Sequence, residues 1–462
     1  MENYTKYICE LKKHAETAVF HRTAVSMLAG EPEICRESTD KHILYRSTAL
    51  VIGPAMISYI LWILKKAVDA KTSTLFFLAR DGKIMKEIAE RFIAYYKLDI
   101  DCRYLYVSRY SLRKAIFLIA PEEAIEYMCR DALVITPSLI MKRSCLNEET
   151  QKRILKEMGF STPESQERVL NSGELHQIAE KLRHSRLFLT EMEQMTRDYN
   201  HLIFQYFQEQ GLTARSRITL VDSGWTGSMQ RSIRQILAFH GYQGSIEGYY
   251  FGIQRNTDAR DGIYHHFYFG VKDPYRYVHF NNNLFECWCM AGHGMTIGYK
   301  KTDQDTVIPV LNETYIQWKE GLQYDLLIQY SQYFLCNHPD LNAIDVDKLA
   351  RRISPLLIRF MMNPDKEEAH VYGNIPFCDD TTEAYFYPLA STLPYRELFR
   401  NLTIPKIINK ISHSKKRPKI RESNWKEGTI ALLPQPISLL LRIDCRLSYL
   451  IKILAALFTK ET

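Results

Sequence analysis

The apolar run STLFFLA, residues 73–79, stops at Arg80-Asp81-Gly82 and gives way to a helical pattern, with Ile84, Ile88, Phe92 and Tyr95 on one face. A second apolar run, CRYLYVSR at 102–109, then ends in Ser108 and Arg109. Strand, helix, strand, with each strand closing in polar residues, predicts the start of a parallel α/β sheet, because parallel neighbours need a crossover of this length. The pattern returns at RITLVDSG (217–224), with Asp222 placed at the strand end. A helix is predicted over SMQRSIRQILAFHG, starting at about Ser228 and stopping at Gly241, which suits the left-handed position after a last turn. A further strand, IEGYYFGI, follows at 246–253.

Between these strands, residues 112–212 read as a helical insertion. Thr162 before Pro163, and Ser172, are the expected helix caps. Residues 1–46 read as an N-terminal helical cap, 47–310 as the sheet-bearing core and 311–405 as a helical C-terminal region. Residues 260–310 read as β-rich and irregular, and Cys287 and Cys289 would face one side of a strand there. The most apolar stretch, STALVIGPAMISYILWILKK at 47–66, is barely long enough to span a bilayer and contains Gly53-Pro54. It is expected to be a buried helix.

Net charge is +7, from 60 basic and 53 acidic residues, too small a bias to indicate nucleic acid. Ten cysteines are scattered without a C-x-x-C pair, so a zinc site is not expected, and reduced thiols in a cytoplasmic protein are. The opening residues carry early acids and no apolar run of the secretory kind. Charge is concentrated near the end. Lys406, Lys410, Lys415, Lys416, Arg417, Lys419, Arg421 and Lys426 face the single acid Glu422, and a helix with Leu439, Leu440, Ile443, Leu447, Leu450, Ile451 and Leu454 on one face follows. A polybasic linker beside a basic amphipathic helix over 406–458 predicts attachment to an anionic membrane surface, the alternative being a helix docked on the protein body.

Two turns carry the candidate chemistry. In TLVDSGWTGSMQ (219–230), a strand feeding a helix through glycines leaves first-turn N–H groups pointing outward with the positive end of the helix dipole. Thr226, Gly227 and Ser228 add close backbone approach and hydroxyl donors, as a phosphate monoester requires. Asp222 has the wrong sign for phosphate and suits sugar hydroxyls or a metal. In the second turn, Arg80 with Arg109 on the neighbouring strand end suits a diphosphate, and the alternative is an Arg80–Asp81 salt bridge closing the sheet. G-x-x-x-x-G-K-[ST] is absent, which excludes a P-loop NTPase, and Gly224 stands where a D-x-D phosphatase needs its second acid.

FFLARDG, YLYVSR and ITLVDSGWTGSMQRSI together resemble a type I phosphoribosyltransferase, whose V-D-D-x-x-x-T-G-x-T motif holds a ribose 5-phosphate. Here Ser223 replaces the second acid and the turn is one residue shorter. With Gly53-Pro54, GYYFGI, NNNLFE and GHG, the order of motifs over roughly 45–330 resembles a bacterial family of polysaccharide-specific phosphoribosyltransferases, some of whose members carry a fused haloacid-dehalogenase domain that is not expected here. That resemblance implies an α/β, phosphoribosyltransferase-like parallel sheet flanked by helices. It implies transfer of a 5-phosphoribosyl group from phosphoribosyl pyrophosphate (PRPP) to a lipid-linked glycan acceptor at the inner membrane face, with a separate phosphatase acting afterwards.

Under the resemblance, the 5-phosphate lies on Gly224, Trp225, Thr226, Gly227 and Ser228, Asp222 takes the ribose hydroxyls, and Ser223 is a further substrate contact. The diphosphate and Mg²⁺ lie near Arg80, Asp81, Gly82 and Arg109, with Asp81 and Asp222 as metal ligands. Glu286 is the expected base, Asp81 the next choice, and His293 a further substrate contact. The rival expectations are a sugar-phosphate-binding hydrolase relative and a non-catalytic scaffold.

Overall fold

The computed structural model describes residues 2–458 apart from 34–37, 131, 133, 256, 314–320, 338–339, 379, 381, 384 and 412–420. Its centre is a five-stranded parallel sheet made of β1 (Thr74–Leu78), β2 (Asp101–Leu105), β3 (Arg217–Trp225), β4 (Ser245–Ile253) and β5 (Ile263–Phe269), in the order β2-β1-β3-β4-β5. The order reverses between β1 and β3, where Phe76 lies opposite Leu220 and Phe77 opposite Val221. In doubly wound sheets the turns leaving two such strands diverge to opposite faces, opening a crevice at the carboxyl ends.

Helices cover both faces. In chain order those that matter are α1 (Gly53–Asp69), α2 (Gly82–Tyr96), α3 (Arg109–Ile116), α4 (Arg186–Glu209), α5 (Ser228–Phe239), α6 (Asn282–Trp288), α7 (Leu322–Asn337), α8 (Val346–Met362), α9 (Thr403–Ile411) and α10 (Ile437–Phe458). Every residue of β1 is buried, as expected for a strand covered on both sides. Its side chains alternate accordingly. Leu75 and Phe77 join Val221, Tyr249 and Phe251 under α1, α2, α7 and α8, whereas Phe76 and Leu78 join Leu220 and Ile218 under α3, α4 and α5. Residues from Phe117 to Met192 build a third apolar cluster away from the sheet.

The apolar stretch at 47–66 is buried, as expected. It belongs to a 31-residue helix, Thr39–Asp69, whose most apolar window is wholly enclosed. A π-helical turn at Thr48–Ile52 precedes Pro54, so the Gly53 N–H reaches the Thr48 carbonyl and the helix continues through the proline. From α1, the Tyr59 hydroxyl reaches the carbonyls of Asp222 (2.7 Å) and Tyr249 (2.8 Å), tying the helix to β3 and β4.

Four local expectations are corrected. Arg109 does not end β2, which stops at Leu105; it opens α3, where Ser108 and Ser111 form a reciprocal cap. Asp222 lies inside β3, which runs on to Trp225 because Gly224 and Trp225 still pair with Gly252 and Ile253. NNNLFECW is helical, so Cys287 and Cys289 share no strand; Asn281 accepts from the Leu284 N–H and starts α6. Asn171 rather than Ser172 caps the helix that begins there.

Candidate active site

The carboxyl ends of β1 and β3 frame a cleft of about 350 Å³ that also takes in the start of α3, the turn into α5, and α6. Arg80, Asp81, Arg109, Asp222, Ser223, Gly224, Trp225, Thr226, Ser228 and Glu286 all line it. Residues expected from distant parts of the chain thus meet in one cavity. Gly82, Gly227 and His293 do not line it. Gly82 packs against Phe77, where an added Cβ would come within 3.0 Å of backbone. His293 accepts from the Tyr104 hydroxyl at Nε2 (2.8 Å) and donates from Nδ1 to the Gly294 carbonyl (2.8 Å), so both ring nitrogens are occupied.

The turn from β3 to α5 is built on left-handed backbone. Gly224, Trp225 and Gly227 have φ of 109°, 73° and 66°. A Cβ on Gly227 would meet the Tyr264 ring at 2.4 Å, so glycine is needed there for space as well as for angle. Left-handed tryptophan is uncommon, and here its surroundings hold it. The ring is buried against Phe269, Phe280 and Phe285, while Nε1 donates to Glu286 Oε1 at 2.6 Å. Trp225 therefore acts as a positioning residue that aims the Glu286 carboxylate into the cleft.

Three carboxylates face one another across the switch point. The Ser223 hydroxyl donates to Asp81, linking β3 to the turn after β1. The Ala79–Arg80 peptide leading into that turn is cis. Burial and then the Asp81 charge push Asp222 up to about 8. Burial and then Asp81 likewise push Glu286 up to about 7, against the pull of Arg109. Asp81 itself is raised by burial, opposed by the Ser223 hydrogen bond and by Arg80 and Arg109. Burial lowers the Arg109 pKa, but Glu286, Asp81 and Asp222 outweigh it and hold the guanidinium charged. Among the described residues no three His, Cys, Asp or Glu side chains form a metal cage.

Arg80 does not pair with Asp81. Its guanidinium meets Glu383 at 2.6 Å, on a segment that reaches the cleft with Phe377, Asp380 and Phe386. Asp380 fixes that segment to the helical region through a buried ion pair with Arg143 at 2.5 Å.

Sequence reasoning missed Arg113, Arg130, Arg255, Tyr127, Asn282 and Asn283, all of which line the cleft. Arg255 lies two residues after the end of β4, so the strand-end rule that selected Arg80 applied to it as well. Arg113 lies one turn beyond Arg109 on α3. Nothing local marks Arg130, because tertiary packing alone brings it in. No protein-family model matches the chain, and no curated protein matches it in sequence.

The raised carboxyl pKa values imply a stability cost. For Asp222 the cost is absent below pH 4, grows as pH rises, and is complete above about 8. Asp222→Asn should raise the unfolding free energy at pH 9, by roughly 1.4 kcal/mol for each unit of upward shift that it removes. The gain should vanish at pH 4, and urea unfolding at both pH values reads it directly.

Proposed function

We propose that this chain is a phosphoribosyltransferase with a type I-like core, moving a 5-phosphoribosyl group from PRPP and Mg²⁺ to a hydroxyl of a lipid-linked glycan. The observation that carries this reading is one cleft, at the switch point of a parallel sheet, lined both by a helix-start turn with its hydroxyls and by Arg80 and Asp81. A sugar carrying two phosphate groups suits such a lining. Ser223 leaves a hydroxyl where the resembled motif has its second acid, and Asp81 sits against that hydroxyl. The second carboxylate is thereby available from a neighbouring turn.

Asp81 and Asp222 fit a divalent cation, since burial and then the Asp81 charge disfavour ionised Asp222, and a cation held between the two would offset both effects. Mg²⁺ is commonly held by one or two carboxylates together with substrate phosphates, so a three-ligand protein cage is not required. When bound, it would neutralise charge on the departing diphosphate. Arg109 and Arg80 would bind that diphosphate, and Arg80 must first exchange Glu383 for it. The bond from the acceptor oxygen to C1 forms as the bond from C1 to the diphosphate oxygen breaks, and diphosphate leaves with the electron pair. Glu286 would take the acceptor's hydroxyl proton. Its pKa, pushed up to about 7, suits a base working near neutral pH. The product keeps its 5-phosphate, and this chain has no D-x-D at 222–224 to remove it, so a separate phosphatase would follow.

Incubation with labelled PRPP, Mg²⁺ and a panel of lipid-linked glycan acceptors should yield a phosphoribosylated product. Asp222→Asn and Glu286→Gln should each reduce its formation by about a hundredfold or more. No product with any acceptor, or undiminished product from both variants, would count against transfer by these residues.

The same reading places the protein on the inner face of the membrane. α10 rests on the body through Leu441 and Cys445, yet leaves Leu439, Leu440, Ile443, Leu447, Leu450, Ile451 and Leu454 between 38% and 57% exposed. Neighbouring α9 exposes Ile404, Ile407 and Ile408, and Asp444 on α10 accepts from the Thr403 N–H at 2.9 Å to join the two helices. Lys406, Arg442, Arg446 and Lys452 accompany this apolar face, while Lys415, Lys416, Arg417 and Lys419 lie outside the described residues. Apolar rows bordered by basic side chains suit an anionic bilayer. The protein should sediment with phosphatidylglycerol vesicles and much less with phosphatidylcholine vesicles. Ile443→Glu with Leu447→Glu should abolish that binding.

A further inference from the structure

The face left open by α10 does not stop at that helix. A short helix, Pro274–Val278, packs along α10 and bears Tyr275 and Tyr277, 54% and 38% exposed. Stacked rings link the two elements. The Tyr275 ring lies 4.6 Å from that of His279, and His279 lies 5.1 Å from Tyr449 on α10. Tyr449 is itself pinned, because its hydroxyl donates to the buried Glu427. Both tyrosines thus stay open to solvent beside an apolar helix face, whereas Phe280 just beyond them enters the core. Lys272 is exposed just ahead of them, and the intervening Asp273 is neutralised by Arg276 at 2.5 Å.

The chain then runs straight to the cleft. Asn282 and Asn283, at the start of α6, line it, and Asn282 stands one helical turn ahead of Glu286 on the same face. Tyr277 and Asn282 are five residues apart, which limits their separation to about 18 Å. The start of α6 is also tied to the scaffold beneath α10. Asn281 and Asn283 donate to the Asn424 carbonyl at 3.0 and 3.4 Å, and the helix that follows it, Lys426–Leu432, packs on α10. Among the described residues the Asn282 amide makes no hydrogen bond, so it is open to a ligand in the cleft.

A tyrosine, with an apolar ring and a polar tip, is favoured where hydrocarbon meets water. An apolar surface with basic and tyrosine side chains at its border suits the headgroup level of an anionic bilayer. An acceptor carried by a lipid holds its sugars in that layer, and a cleft rim beside the layer meets them at high effective concentration. We propose that residues 272–279 carry the membrane-facing surface of α10 up to the cleft, with Tyr275 and Tyr277 at the headgroup level of an anionic bilayer, so that a lipid-linked acceptor enters past Asn282 from the plane of the membrane. That route rests on the membrane attachment and the acceptor class proposed above.

Hydrogen–deuterium exchange of the full chain, with and without phosphatidylglycerol vesicles, reads the surface directly. Exchange should slow over 272–280 as well as in α10, and phosphatidylcholine vesicles should leave both unchanged. Tyr275→Ser with Tyr277→Ser should lower transfer to a lipid-linked acceptor in vesicles by about tenfold or more, yet keep transfer to the same glycan without its lipid within about threefold of wild type. The unfolding midpoint of the variant tests for loss of fold. Slowing confined to α10, unchanged transfer to the lipid-linked acceptor, or equal loss with both acceptors in a folded variant would overturn the route and leave membrane attachment standing. Slowing over 272–280 that needs no vesicles and grows with protein concentration would mark a contact between copies of the chain, and would overturn it as well. No slowing anywhere and no sedimentation with vesicles would remove membrane attachment, and the route with it. Slowing over 272–280 with vesicles, but no transfer to either acceptor, would keep the surface and remove the transferase reading.

Discussion

The contact between β1 and β3 is what the rest of this site depends on. Only Phe76 with Leu220 and Phe77 with Val221 are paired there before the strands part. The turn after β1 and the extended end of β3 then face each other, and the Ser223 hydroxyl closes the gap to Asp81. That hydrogen bond stabilises the charged form of an acid which burial otherwise disfavours. The other two acids inherit the consequence. Asp222 and Glu286 are both raised first by burial and then by the Asp81 charge, so the turn after β1 acts on both of them.

Glu286 shows how packing turns a sequence motif into a positioned group. Trp225 adopts a left-handed backbone that places its ring among Phe269, Phe280 and Phe285, and this leaves Nε1 aimed at the carboxylate. An apolar cluster on one side of the sheet thus orients a polar group on its rim, as the role proposed for Glu286 would require.

What was legible in the sequence followed from period and punctuation. Parallel strands covered on both faces, such as β1 and β3, read as apolar runs, and their ends are marked by charge or glycine, so both turns are legible in the sequence. The exact ends were less legible. Ser108 reads as a strand end but acts as a helix cap, because a reciprocal bond with Ser111 is invisible to periodicity. NNNLFECW, with aromatic and apolar residues close together, reads as extended, yet Asn281 caps a short helix. Arg130 and Glu383 have no local signature at all. Long-range folding brings each to the cleft, Arg130 from the helical region and Glu383 from a segment near the C-terminal helices.

The central claim is that the cleft holds one sugar between two phosphate groups. A crystal structure of the protein with PRPP and Mg²⁺ tests it most directly. The account predicts the 5-phosphate against Thr226, Ser228 and the start of α5, and the diphosphate beside Arg80 and Asp81 with Glu383 displaced. PRPP bound in the opposite sense, or lying outside the cleft between β1 and β3, would contradict it.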